Sequence, residues 1–93
     1  LVIDIFRNGE IDEGFYIIAL FRNSSNRELN IKSIPLAVYN PLDLLAYKGV
    51  FNIADDSLLL KPNTGKLMVI TIPRDEFPIV EGEELEKYKI YIK

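Results

Sequence analysis

The side chains here with the chemistry to hold an ion or act on a substrate are mostly carboxylates, and three of them, Glu10, Asp12 and Glu13, sit between Gly9 and Gly14. Calcium sites in β modules are built from loop oxygens of this kind. The spacing departs from the EF-hand loop, which sets oxygen ligands at alternating positions and a bidentate glutamate further on. A solvated turn is therefore expected, with calcium as the alternative. Asp55-Asp56 with Lys61, and Asp75-Glu76 with Arg74, carry the groups for the paired-carboxyl chemistry of glycoside cleavage. Neighbours on an extended chain point to opposite faces, so neither set converges without special loop geometry. Lys61-Pro-Asn-Thr-Gly-Lys66 contains Gly-Lys but lacks the spaced glycine and the hydroxyl of a phosphate-binding loop, and reads as a turn. Asn23-Ser24-Ser25 fits the glycosylation acceptor pattern, a match with weight only in a chain secreted by a eukaryote. Glu81, Glu83, Glu84 and Glu86 form the densest acidic run, followed by Lys87 and Lys89; a charged, solvated connection accounts for it.

Cysteine and histidine are both absent. Thiolate nucleophiles, disulfides, the commonest metal ligand and the side chain that titrates near neutral pH are thereby all missing. The expectation is a protein without catalytic residues, cofactor or metal, and not an enzyme. Fourteen acids against 11 bases give a formal charge of −3, and the bases are scattered singly, so nothing favours nucleic acid. The longest apolar run spans residues 15 to 21, far short of the roughly 20 residues that cross a bilayer, and no membrane insertion is expected. The chain starts at Leu1 without the basic flank and apolar block of a signal peptide, which suggests a domain excised from a longer protein and leaves its compartment open.

Ninety-three residues, 48% of them hydrophobic, are enough for one domain with its own core. Phe15-Tyr-Ile-Ile-Ala-Leu-Phe21 is aromatic, β-branched and uncharged, and predicts a central strand covered on both faces. Before it, residues 1 to 6 alternate as a strand and Asn8-Gly9 marks a tight turn. After the polar corner at residues 22 to 26, a second extended segment buries Leu29 and Ile31, then, after a change of parity at Ser33, Ile34, Leu36 and Val38. Such a change, with Pro35 beside it, predicts a bulge or bend. Tyr39-Asn-Pro-Leu-Asp43 reads as a reverse turn, with Asn40 and Asp43 able to bond nearby backbone. Leu45, Tyr47, Gly49, Phe51 and Ile53 share one face of the next strand. Residues 66 to 72 form a second fully covered strand, residues 74 to 77 an irregular corner between Pro73 and Pro78, the run from Glu81 a helical turn, and Tyr88, Ile90 and Ile92 a last strand with one wet face. About seven short strands at these spacings predict an all-β fold, an immunoglobulin-like β-sandwich, with a small closed barrel as the alternative.

The order Gly14-Phe-Tyr-Ile-Ile-Ala-Leu-Phe-Arg-Asn23, a polar corner, then Leu29-Asn-Ile, Ile34-Pro-Leu-Ala-Val-Tyr39, Leu45-Ala-Tyr-Lys-Gly-Val-Phe51 and Leu60-Lys-Pro-Asn-Thr64 resembles the bacterial SLAP domain. The resemblance covers roughly residues 10 to 73. It implies a Gram-positive setting connected with accessory Sec-dependent secretion and surface-layer assembly, and it brings no catalytic residues. The expected function is a protein–protein interaction module whose partner is a secretion component or a surface protein, in the cytoplasm, at the membrane periphery or in the envelope. An envelope module recognising wall glycan or calcium through its loops is the alternative. Edge strands are the expected docking elements. Arg22 and Asn23 at the end of the central strand, and Tyr39 and Tyr91, which mix apolar area with a hydroxyl, are the candidate interaction residues. The oligomeric state is not readable from these patterns.

Overall fold

Phe15, Ile17, Ala19 and Phe21 all point one way, and a strand that offers such a row must lay it against a second layer. The computed structural model, which describes residues 1–77 and 82–92, supplies that layer within a fold of eight strands. In chain order these are β1 (Val2–Ile11), β2 (Gly14–Asn23), β3 (Leu29–Asn30), β4 (Ser33–Tyr39), β5 (Leu45–Asn52), β6 (Leu59–Leu60), β7 (Thr64–Pro73) and β8 (Lys89–Ile92), with one 3-10 turn at Leu85–Lys87. One antiparallel sheet has the order β1-β2-β7, a second β5-β4-β8, and β3 pairs with β6 alone. The chain crosses between the two larger sheets from β2 to β4, from β5 to β7 and again before β8. This is an immunoglobulin-like β-sandwich; its sheets stay separate and do not close into a barrel.

The core between the layers holds Phe15, Ile17, Ala19 and Phe21 of β2, Ile70 and Ile72 of β7, and Ile34, Leu36 and Val38 of β4. The Phe15 ring stacks on Phe77 with centroids 4.5 Å apart and planes 3° from parallel, and Tyr88 tilts against both at 6.2 and 6.0 Å. Phe77 thus makes the irregular corner after β7 a plug for one end of the core. Each aromatic ring buried here contributes about 2–3 kcal/mol of apolar transfer.

Several expectations are corrected. Neither β2 nor β7 is covered on both faces: Tyr16, Ile18 and Leu20 are half-buried, and Leu67 and Val69 are exposed, because two layers leave each sheet an outer face. Asn8-Gly9 is not a turn. β1 runs through it with a bulge between Ile5 and Arg7, and the hairpin closes at Asp12-Glu13, where Ile11 pairs with Gly14. Asn8 is buried instead, its amide donating to the carbonyls of Leu85 (2.8 Å) and Tyr88 (3.4 Å), and the Tyr16 ring lies over Gly9. The parity change at Ser33 is a break between β3 and β4, where the chain leaves one ladder for another. Pro35 lies on β4 beyond the stretch that β8 pairs, which runs from Leu36 to Tyr39. Leu45 faces outward, since a register shift between Val38 and Tyr39 puts it out of step with Tyr47, Gly49 and Phe51.

The reverse turn read at Tyr39–Asp43 forms between Asn40 and Leu44, and the turn read from Lys61 closes at Thr64, which donates to the Lys61 carbonyl through both its amide and its hydroxyl. Leu85–Lys87 supplies the helical turn, while Pro78, Glu81 and Lys93 lie outside the described residues. Among the described residues no helix is long and apolar enough to cross a membrane.

Candidate interaction surfaces

The carboxylates of the sequence are dispersed among cations and amides. Arg74 claims the end of the β1–β2 hairpin: its guanidinium donates to the Ile11 carbonyl at 2.7 Å, the Asp12 carbonyl at 3.3 Å and the Glu10 carboxylate at 2.8 Å. Two of the carbonyl oxygens and one of the three carboxylates of the calcium reading are engaged there. Asp56 pairs with Lys32 at 3.1 Å, not with Lys61, and accepts from the Asn30 amide at 3.0 Å. The Asn30 bond, then Lys32, holds its carboxyl below the ordinary value. Lys87 pairs with Glu84 and Lys89 with Asp43, each at 2.5 Å, and each lysine is raised by that partner. Burial, then the charge of Glu76, raises the Tyr47 phenol. No group of three or more acidic side chains gathers among the described residues.

The four candidate interaction residues fall in three places. Arg22 is exposed on the outer face of the β1-β2-β7 sheet, paired with Asp4 at 2.7 Å. Asn23, one position on, points inward and is 1% exposed. Its amide donates to the carbonyls of Arg27 (2.6 Å), Leu60 (3.1 Å) and Lys61 (3.3 Å), and its oxygen accepts from the amide and hydroxyl of Ser25. Its place is therefore corrected from partner contact to structural tie between β2, the polar corner and the end of β6, which also withdraws it from glycosylation. Tyr39 and Tyr91, distant in sequence, meet on the outer face of β5-β4-β8, edge to face with centroids 5.4 Å apart.

Two apolar surfaces result. The first is the outer face of β1-β2-β7, where Leu67 and Val69 of β7 pair with Leu20 and Ile18 of β2 and remain 53% and 57% exposed. β7 is also this sheet's edge, ten residues long, uncharged from Leu67 to Pro73 and without a register shift against β2. Edge strands normally carry a guard against pairing with another chain. β1 has its bulge, its charges Asp4 and Arg7 and the 3-10 turn packed beside it; β5 has Lys48 and a register shift; β8 has only four residues and Lys89. β7 carries Lys66 near its start, and from Leu67 to Pro73 it has, among the described residues, neither a charge nor a register shift.

The second surface is a groove of about 830 Å³ on the outer face of β5-β4-β8, lined by Pro35, Ala37, Tyr39, Lys48, Val50 and Tyr91. At its end the β4–β5 loop displays Leu42 and Leu44, with Leu45 at the start of β5 exposed beside them. Sequence reasoning treated that stretch as a turn and missed its surface; three leucines in five residues were the signal available.

A model of the SLAP domain family matches residues 5–93. The match extends past residue 73, through Phe77, the 3-10 turn and β8. A search of curated proteins returns no match, and neither does a search of solved structures.

Proposed function

The chain belongs to the SLAP domain family, and from that membership together with the open edge of β7 we propose that it is a non-enzymatic module that binds a protein partner in a Gram-positive secretion or surface-layer assembly system. An extended segment of the partner adds to β7 as a fourth strand of the β1-β2-β7 sheet. The observation that carries this reading is the contrast among the edges of the two larger sheets: β1, β5 and β8 carry a bulge, a register shift or too few residues, whereas β7 runs uncharged and in register from Leu67 to Pro73. Strand addition draws affinity from main-chain hydrogen bonds, each a net gain of about 1 kcal/mol, and selectivity from the side chains that alternate beside them. Leu67 and Val69, with Leu20 and Ile18 behind them, offer an apolar shelf to every second residue of such a strand. The absence of histidine and cysteine supports a binding role, since association needs neither.

The test uses purified domain and a purified surface-layer precursor from the source cell. Val69→Lys places on the edge the charge that natural edges use as a guard, at an exposed position where the fold tolerates it. Titration calorimetry is expected to show binding that Val69→Lys abolishes and that Tyr91→Ala, on the other sheet, leaves intact. Binding indifferent to Val69→Lys would remove β7 from the account, and failure to bind the precursor or any secretion component would remove the function itself.

A further inference from the structure

We infer that the outer face of the β5-β4-β8 sheet joins two copies of this chain about a two-fold axis, the leucine loop of each copy seated in the groove of the other. This surface lies on the sheet opposite β7, so the inference stands apart from strand addition.

The loop is built for display. Leu42 and Leu44 are 79% and 61% exposed, yet the backbone beneath them is fixed. The Asn40 side-chain oxygen accepts from the amides of both leucines at 2.9 Å, the Asn40 amide donates to the Leu44 carbonyl at 2.9 Å, and the Asp43 amide donates to the Asn40 carbonyl at 2.9 Å. Asp43 takes a left-handed φ of 64° and is tied to Lys89 of β8. Apolar side chains held on an ordered loop lose little freedom on docking, which is how preorganised contacts gain affinity.

The groove begins at the foot of that loop and runs along the same face, walled by Pro35, Ala37 and Val50 at one end and by Tyr39 and Tyr91 at the other. A knob and a hole on one face satisfy each other when two copies are related by a two-fold axis, which also closes the assembly at a dimer. The charges agree with this arrangement. Lys48, in the groove, has no ion-pair partner among the described residues, and Asp43, at the loop, meets Lys89 of its own copy through Oδ1 while its side chain stays 72% exposed. With the axis near the paired Tyr39 and Leu45, rotation brings each Asp43 towards the other copy's Lys48 and each Leu42 over the small residues Ala37 and Gly49. A lipid surface fits less well: the chain carries a charge of −3, and insertion would take Asp43 into the headgroups of an anionic bilayer.

Sedimentation velocity of the purified protein between about 1 µM and about 1 mM, the range of dimers of this size class, tests the inference. The mass is expected to climb from 10.7 kDa towards twice that value. Leu42→Glu with Leu44→Glu should hold it at the monomer with an unchanged circular-dichroism melt, and Lys48→Glu should weaken the dimer about tenfold, the factor that 1.4 kcal/mol represents. Leu67→Glu, on the other sheet, should leave it alone. A monomer across the whole range overturns the inference; so does a dimer that survives the double leucine variant, or a monomer that sediments with phosphatidylglycerol vesicles through this loop.

Discussion

Gly14 closes the β1–β2 hairpin at a φ of +148°, where an added Cβ would stand 2.1 Å from the Ile72 carbonyl oxygen. Backbone atoms of the adjoining β7 cannot swing aside, so Gly14→Ala is expected to cost about 3 kcal/mol or more by urea unfolding. Gly49 gives a contrast: its Cβ would meet the hydroxyl end of Tyr47, a side chain with freedom to turn, and Gly49→Ala should cost less than half as much. Asn23→Ala strips a donor from three carbonyls and leaves them buried or half-buried, a loss of about 2–3 kcal/mol in the same measurement. Titration belongs at this scale too. Burial raises the Tyr47 phenol above 10.0, so the folded protein keeps a proton that the unfolded chain would lose. The stability this represents is present in full below pH 10 and is lost as pH climbs through the raised value. Lys87 and Lys89, raised by their carboxylate partners, act in the same sense, while Asp56 acts at the acid end, its contribution fading as pH falls through its lowered value. The melting temperature is therefore expected to stay level between about pH 6 and 9 and to fall above 10, less steeply in Tyr47→Phe.

At the scale of elements, alternation made most strands legible, because period two shows in any chain whose inner face is apolar. It read Ile34, Leu36 and Val38 inward and Tyr88, Ile90 and Ile92 likewise, as the structure has them. What it could not read was the number of layers. An apolar outer face left open to solvent has the same composition as one covered by a third layer, so the sequence of β2 and β7 reads as buried on both sides. Asn8-Gly9 failed for a related reason: its turn propensity is local, whereas the Asn8 bonds to Leu85 and Tyr88 close over a separation of about eighty residues. Asn23 and Phe77 were hidden in the same way, since a polar corner gives no sign that its first amide is buried, nor an irregular one that its phenylalanine stacks on Phe15. The two sides of β7 offer a direct check. Leu67→Lys should shift the melt by little, Ile70→Lys should prevent folding, and Phe77→Ala should cost about 3–5 kcal/mol, all by thermal denaturation followed by circular dichroism.

For the whole molecule, the candidate site was the least legible part, because a binding surface without reactive groups differs from ordinary skin only in where its apolar residues are left uncovered. Tyr39 and Tyr91 were singled out by residue type, and the fold brings them together; Arg22 lies on the opposite sheet and Asn23 inside. The sandwich presents the β7 edge on one sheet and a groove with a leucine loop on the other. Backbone amide hydrogen exchange of the domain, alone and with bound surface-layer precursor, tests the central claim most directly. The account expects new protection at alternate amides along residues 67 to 72 of β7, whereas a bound complex in which those amides exchange as they do in the free domain would contradict it.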